Sequence, residues 1–98
     1  PTKAMEMGLQ SKVRVSFVVD TLGRISDLKI KENNLSAVRK APISKLNPEE
    51  RQRTAKECAT LFANEAKRVV RSMPAWKPAR SFGKKTKVSF MLPITFRL

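Results

Sequence analysis

Apolar and polar side chains alternate over the last dozen residues of the chain. The apolar set consists of Val88, Phe90, Leu92, Ile94, Phe96 and Leu98. The intervening set consists of Ser89, Met91, Pro93, Thr95 and Arg97. A period of two is typical of a strand that is buried on one face. Because Pro93 has no N–H for a ladder hydrogen bond, we expect this strand at a sheet edge, where another chain can pair with it.

The same alternation predicts a β-hairpin near the start of the chain. A first strand is expected over Lys12–Asp20 and a second over Ile25–Lys31, with Gly23 able to take positive φ in the turn between them. The apolar residues of the first strand that share one side are Val13, Val15, Phe17 and Val19. A short helical turn that ends at Gly8 is predicted before the hairpin.

An amphipathic helix is indicated in the second half of the chain. Asn47 is suited to cap it, Pro48 suits the first helical position, and Glu50 stands three residues after the cap. Its apolar stripe contains Ala55, Cys58, Ala59, Phe62, Ala66, Val69, Val70 and Met73. Pro74 is expected to end the helix. Residues 32–46 are predicted to be an irregular loop, although residues 35–40 could form a helical turn. Residues 75–83 are predicted to be a linker.

These elements predict a single α+β domain over residues 1–98. The order is strand, strand, helix, strand, preceded by the short N-terminal helical turn. Three apolar strand faces and one helix stripe can bury one another in two layers. We expect a three-stranded antiparallel sheet, in the order second, first, third, packed on one main helix.

Charge narrows the choice of partner. The chain has 21 Lys and Arg against 8 Asp and Glu, a formal net charge of +13. Such a balance favours acidic partners such as nucleic acid, anionic lipid, a polyanionic matrix or an acidic protein. Sheets that bind single strands present aromatic rings on their open face, whereas Phe17, Phe90 and Phe96 all have the inward parity. We therefore do not expect nucleic acid as the partner, although a basic nucleic-acid-binding or envelope-anchoring domain remains the alternative.

The chain offers few groups for catalysis. It contains no His, and its one cysteine, Cys58, lies on the apolar helix stripe, where a buried small hydrophobe is expected. Asp20 and Asp27 flank the hairpin turn, and the 3 glycines form no phosphate-binding motif. We expect no enzyme, no cofactor and no metal site.

Three segments of the chain resemble the C-terminal domain of TonB energy transducers. They are residues 13–30, 65–79 and 87–98, preceded by a similar lead-in of Pro1, Ala4, Gly8 and Leu9. The most specific parts are Met73-Pro-Ala-Trp-Lys-Pro78 and Leu92-Pro-Ile-Thr-Phe96. Within the first of these, Trp76 is expected to fold back on the core. The chain departs from the family pattern by an apparent insertion between Glu32 and about Thr60.

The resemblance implies a function in the cell envelope. TonB proteins are periplasmic, and an N-terminal helix anchors them in the inner membrane of Gram-negative bacteria, so the chain would be a fragment of a longer protein. With ExbB and ExbD they transmit proton-motive energy to outer-membrane transporters. The C-terminal domain binds the transporter's TonB box, a short extended peptide that adds a strand beside the last strand of the domain.

The missing N–H of Pro93 suggests which backbone groups would meet such a peptide. If Pro93 faces the empty edge, then the outward backbone groups belong to Ser89, Met91, Thr95 and Arg97. Arg14 and Lys87, together with the Arg97 side chain, are expected to attract an acidic peptide. A homodimer paired through the same edge is a second possibility. The sequence does not identify the transporter, its cargo or the oligomeric state. It also leaves open whether the parent is a transducer or a fused sensor or peptidase-like protein.

Overall fold

One sheet and one long helix make up most of the fold. The structure, a computed structural model, describes residues 1–73, 79–81 and 83–98, with 79–81 and 85 described by their backbone. The elements are α1 (Thr2–Glu6), β1 (Leu9–Val19), β2 (Ile25–Ala37), α2 (Pro48–Ser72), β3 (Ala79–Ser81), β4 (Lys84–Thr86) and β5 (Val88–Phe96), with a 3-10 turn at Pro42–Lys45. An antiparallel sheet has the order β2-β1-β5. The α+β class, the strand order and the N-terminal helical turn predicted from the sequence are confirmed.

The β-hairpin has a hydrogen-bonded turn and longer strands than predicted. In the turn, the Asp20 carboxylate accepts from the backbone N–H groups of Leu22 and Arg24, each over 2.9 Å, and Gly23 has φ +81°. At the other end the hairpin is longer than predicted, because β1 begins at Leu9 and pairs with Ala37. The prediction of a loop over residues 32–46 was therefore wrong for residues 32–37.

The outer strand of this hairpin, β2, is irregular. The register with β1 shifts between Arg14 and Val15 and again between Ser16 and Val18. Each shift places one extra residue in β2, and Asp27, with φ +51°, lies in the second irregular stretch. Such bulges increase the local twist and disturb the row of backbone groups along a strand.

Helix α2 covers one face of the sheet. Its Asn47 Oδ1 accepts from the Glu50 N–H over 2.8 Å, which confirms the predicted cap. The buried helix residues are spaced by four: Cys58, Phe62, Ala66 and Val70. They pack against the buried alternate residues of β1 and the half-buried apolar residues of β5, where the Phe62 and Phe96 ring centroids are 5.2 Å apart. The core therefore lies between α2 and this one face.

The segment between α2 and β5 differs from the predicted linker. Ala79–Ser81 pair with Lys84–Thr86 in a separate two-stranded hairpin, so residues 79–81 of the predicted linker form a strand. Trp76 and Pro74 lie outside the described residues. Helix α2 itself ends at Ser72, with Met73 as its C-cap.

Candidate functional site

Strand β5 is the outermost strand on one side of the sheet formed by the described residues. It pairs with β1 in an unbroken register from Ser11 opposite Phe96 to Val19 opposite Val88. Pro93 lies within this register, opposite Arg14, and there is no bulge around it. The proline is therefore accommodated without distorting the ladder.

Two backbone hydrogen bonds reveal which residues of β1 face β2. The Gly8 carbonyl accepts from the Val38 N–H over 2.9 Å, and the Asp20 N–H donates to the Arg24 carbonyl over 2.9 Å. Gly8 and Asp20, at the two ends of β1, are both even-numbered. Because the extra residues of both bulges belong to β2, the alternation within β1 is uninterrupted. Even residues of β1 thus bond towards β2, and odd residues bond towards β5.

This alternation fixes the orientation of the backbone in β5. The odd residues of β1 stand opposite even residues of β5, as Val13 does opposite Ile94 and Val15 opposite Leu92. The even residues of β5 therefore bond to β1, and the odd ones direct their N–H and C=O groups to the outer edge. Pro93 has the outward parity, so its missing N–H costs the sheet no ladder bond.

The predicted edge residues occupy consistent positions on this strand. Ser89, Met91 and Thr95 lie within β5 and share the outward parity of Pro93, and Arg97 follows directly after the strand. All four have exposed side chains, with Met91 47% exposed. A regular strand with this parity offers an extended peptide a row of donors and acceptors that is interrupted only at Pro93.

The opposite edge of the sheet is less suited to pairing. Strand β2 forms that edge and carries both bulges. Bulges twist an edge and break the regular spacing of its hydrogen-bonding groups, which is one way that proteins block edge-to-edge pairing. Among the described strands of the sheet, β5 is thus the favoured place for an added strand.

The face of the sheet opposite α2 is polar and basic. It presents the even residues of β1 and the odd residues of β5, together with their neighbours in β2. Lys12 stands opposite Thr95 on this face, and Ser16 stands opposite Met91. None of the described helices packs on this surface, which is therefore named the open face.

A cavity of about 90 Å³ lies at one end of the open face. The cavity extends across residues of β1, β2 and β5 and is lined by Gln10, Ser11, Lys12, Ser36, Thr95, Phe96 and Arg97. The lining has two cations and no carboxylate. Lys12 was missed by the sequence prediction, although the alternation that placed Arg14 on the outward face also places Lys12 there.

The three predicted cations are not brought together. Arg14 donates to Glu32 over 2.8 Å, so much of its charge is balanced locally. Lys87 immediately precedes β5 and Arg97 immediately follows it, which separates them by about 33 Å along an extended strand. Arg97 shares the cavity with Lys12 instead.

Other reactive groups lie away from this edge. Cys58 is fully buried, and desolvation, followed by the charge of Glu57, raises the pKa of its thiol. No group of three or more metal-binding side chains occurs within the described residues. None of the helices described here is both long and apolar enough to cross a membrane.

Comparison of the chain with protein-family models, with curated proteins and with solved structures found no match.

Proposed function

We propose that this domain binds an extended peptide by strand addition at the outer edge of β5. The peptide is the TonB box of an outer-membrane transporter, and the parent protein transmits proton-motive energy to that transporter for active uptake. In this proposal the domain lies in the periplasm, and its parent is anchored in the inner membrane with ExbB and ExbD as partners. The domain binds and transmits force, and it catalyses no reaction.

The observation that carries the proposal is the difference between the two edges of the sheet. The β5 edge is regular over the whole register with β1, whereas the β2 edge is bulged twice. Strand addition needs a regular row of backbone donors and acceptors. Each main-chain hydrogen bond gained by the peptide contributes about 0.5–1.5 kcal/mol net. Several such bonds would hold the peptide without requiring a deep pocket.

The resemblance to TonB domains supports the identity of the peptide. Its Leu92-Pro-Ile-Thr-Phe96 segment lies in β5, which is the strand that the family's TonB box pairs with. The basic open face suits a peptide of acidic character, because rim charges of opposite sign increase the association rate.

Backbone amide exchange provides a direct test. In the free domain, the N–H groups of Ser89, Met91 and Thr95 should exchange rapidly, while those of Phe90 and Leu92 are protected by β1. Saturation with a TonB-box peptide should protect the first three, because they then donate to the peptide. NMR exchange rates with and without peptide would measure this residue by residue.

The same samples distinguish the alternative function. A titration with single- and double-stranded oligonucleotides serves as the comparison. Amide shifts spread over Lys and Arg residues with DNA, and none with peptide, would refute the proposal in favour of a nucleic-acid-binding domain. Peptide-induced protection along β2 instead of β5 would also refute it.

A further inference from the structure

The cavity at the end of the open face suggests what the bound peptide must contain. Its lining brings Lys12 and Arg97 together with the hydroxyl-bearing residues Ser36 and Thr95. Every one of these side chains can donate a hydrogen bond. With about 90 Å³, the cavity has room for several water molecules. A carboxylate matches this combination of size, charge and donors.

An acidic residue on the open face already has a partner. Glu32, on the same face, accepts from Arg14 over 2.8 Å. Lys12 and Arg97 take part in none of the salt bridges found among the described residues. The two cations of the cavity therefore lack a carboxylate partner within the described part of the chain.

The position of the cavity relates it to the guest strand. Residues that stand directly opposite one another in neighbouring strands direct their side chains to the same face of the sheet. A guest residue opposite Thr95 thus has its side chain on the open face, beside the cavity. The guest and β1 would lie on either side of β5, roughly 10 Å apart, a distance that Lys12 and an acidic side chain can bridge together.

A second position on the same strand favours an apolar guest residue. Met91 lies four residues before Thr95 in β5, has the same parity, and is 47% exposed on the open face. On this face, its neighbours in β1 include the half-buried Val18. A guest residue opposite Met91 would bury apolar surface against its thioether side chain.

We infer that the guest peptide is recognised by an acidic residue opposite Thr95, bound by Lys12 and Arg97, and an apolar residue opposite Met91. This inference rests on the proposed function and specifies its ligand. The two guest residues are separated by four positions, since the guest runs in register with β5. Their order along the guest reports whether it pairs parallel or antiparallel to β5.

A set of synthetic peptides tests this spacing. Each peptide alternates Thr and Ser, and carries one Leu and one Asp separated by two, three, four or five positions, in both orders. Binding to the 98-residue chain would be measured by fluorescence anisotropy at low salt. The spacing of four should bind most tightly in one of the two orders, and its Asp→Asn version should bind roughly two- to fivefold more weakly, as expected for a partly exposed ion pair.

Paired variants locate the effect. In the double variant Lys12→Gln with Arg97→Gln, the preference for Asp over Asn should disappear. The matched control, Arg53→Gln with Lys56→Gln on the exposed side of α2, removes the same charge and should keep the preference.

The possible outcomes distinguish failure of the inferred recognition from failure of strand addition itself. Equal binding of all spacings, or an equal loss of preference in both double variants, would overturn the inference while leaving strand addition intact. Absence of binding by every peptide, including an authentic TonB box, would overturn both.

Discussion

The hydroxyl of Ser11 donates a hydrogen bond of 2.6 Å to Oδ1 of Asn33, and the Nδ2 of Asn33 donates to the carbonyl of Ala59 over 2.8 Å. Ser11 is only 2% exposed, so it is a buried polar side chain in an apolar core. The chain of bonds connects β1, β2 and α2. Asn33 therefore links the helix to the sheet by hydrogen bonds that no apolar side chain could make.

Replacing Asn33 by Asp should destabilise the domain by about 1–3 kcal/mol. The carboxylate cannot donate to the Ala59 carbonyl, so this part-buried hydrogen bond is lost. Asn34→Asp is the matched control, because Asn34 is exposed on the open face and should change stability by less than about 0.5 kcal/mol. Urea denaturation followed by circular dichroism would measure both. Equal effects of the two substitutions would show that the Asn33 network contributes little.

Gly8→Ala should destabilise the domain by about 2 kcal/mol or more. Gly8 has φ +72°, which disfavours residues with a Cβ, and a Cβ built there would lie 2.6 Å from the Ala41 Cβ. Gly83→Ala is the control, because Gly83 has φ +77° but, its chain neighbours aside, no atom of the described residues lies within 4 Å of such a Cβ. The difference between their melting temperatures isolates the steric contact from the backbone cost. A Gly8 variant as stable as the Gly83 variant would contradict the close packing of residues 8 and 41.

Proline substitutions at adjacent positions test the orientation of β5. Leu92→Pro should destabilise the domain by about 3 kcal/mol or more, since Leu92 bonds to β1. Met91→Pro should retain most of the stability, because Met91 directs its N–H to the outer edge. Met91→Pro should nevertheless weaken peptide binding by about tenfold or more, because it removes one hydrogen bond and the thioether side chain that an apolar guest residue would contact. Unfolding by Met91→Pro and tolerance of Leu92→Pro would reverse the assignment of the two parities.

The hairpin turn should lose stability in acid. The pKa of Asp20 lies below its ordinary value, chiefly because its carboxylate accepts from the Arg24 N–H, with further contributions from Leu22 and the Arg24 side chain. Because the pKa is lower in the folded state, the ionised carboxylate stabilises the fold at pH values above the ordinary carboxylate pKa of about 3.9. This contribution is lost as the pH falls through the lowered pKa. Asp20→Asn should flatten the pH dependence of stability in this range. Identical acid unfolding curves for the variant and the unsubstituted chain would argue against this role of Asp20.

Cys58 should not react with thiol reagents while the domain is folded. Burial raises the pKa of the thiol and also blocks access to it. Labelling with a disulfide reagent should therefore proceed only at the rate at which the core opens, and should become fast in urea. A short unfolded peptide around Cys58 provides the control rate. Rapid labelling of the native chain would show that the Cys58 thiol is accessible to solvent in the folded domain.

The sequence predicted the order of the main helix and the three strands of the main sheet, the sheet order and the α2 cap, because alternation and capping are local signals. It failed where distant residues decide the conformation. Asn33 and Asn34 have low strand propensity, yet they lie in β2, where they pair with Val13 and Lys12 of β1. The bulges of β2 appear in the sequence as breaks in its apolar alternation, between Ile25 and Leu28 and between Ile30 and Leu35. The cavity was missed because it joins three strands, and only the register shows that Lys12, Ser36 and Arg97 meet.

The asymmetry between the regular β5 edge and the bulged β2 edge limits assembly as well as binding. A sheet that can pair at both edges can recruit further copies without end and form fibres. A sheet with one usable edge stops at a closed pair, whether the second strand comes from another copy or from a guest. Self-association and peptide binding therefore exclude each other at β5, and added peptide should convert any dimer into a complex of one domain with one peptide.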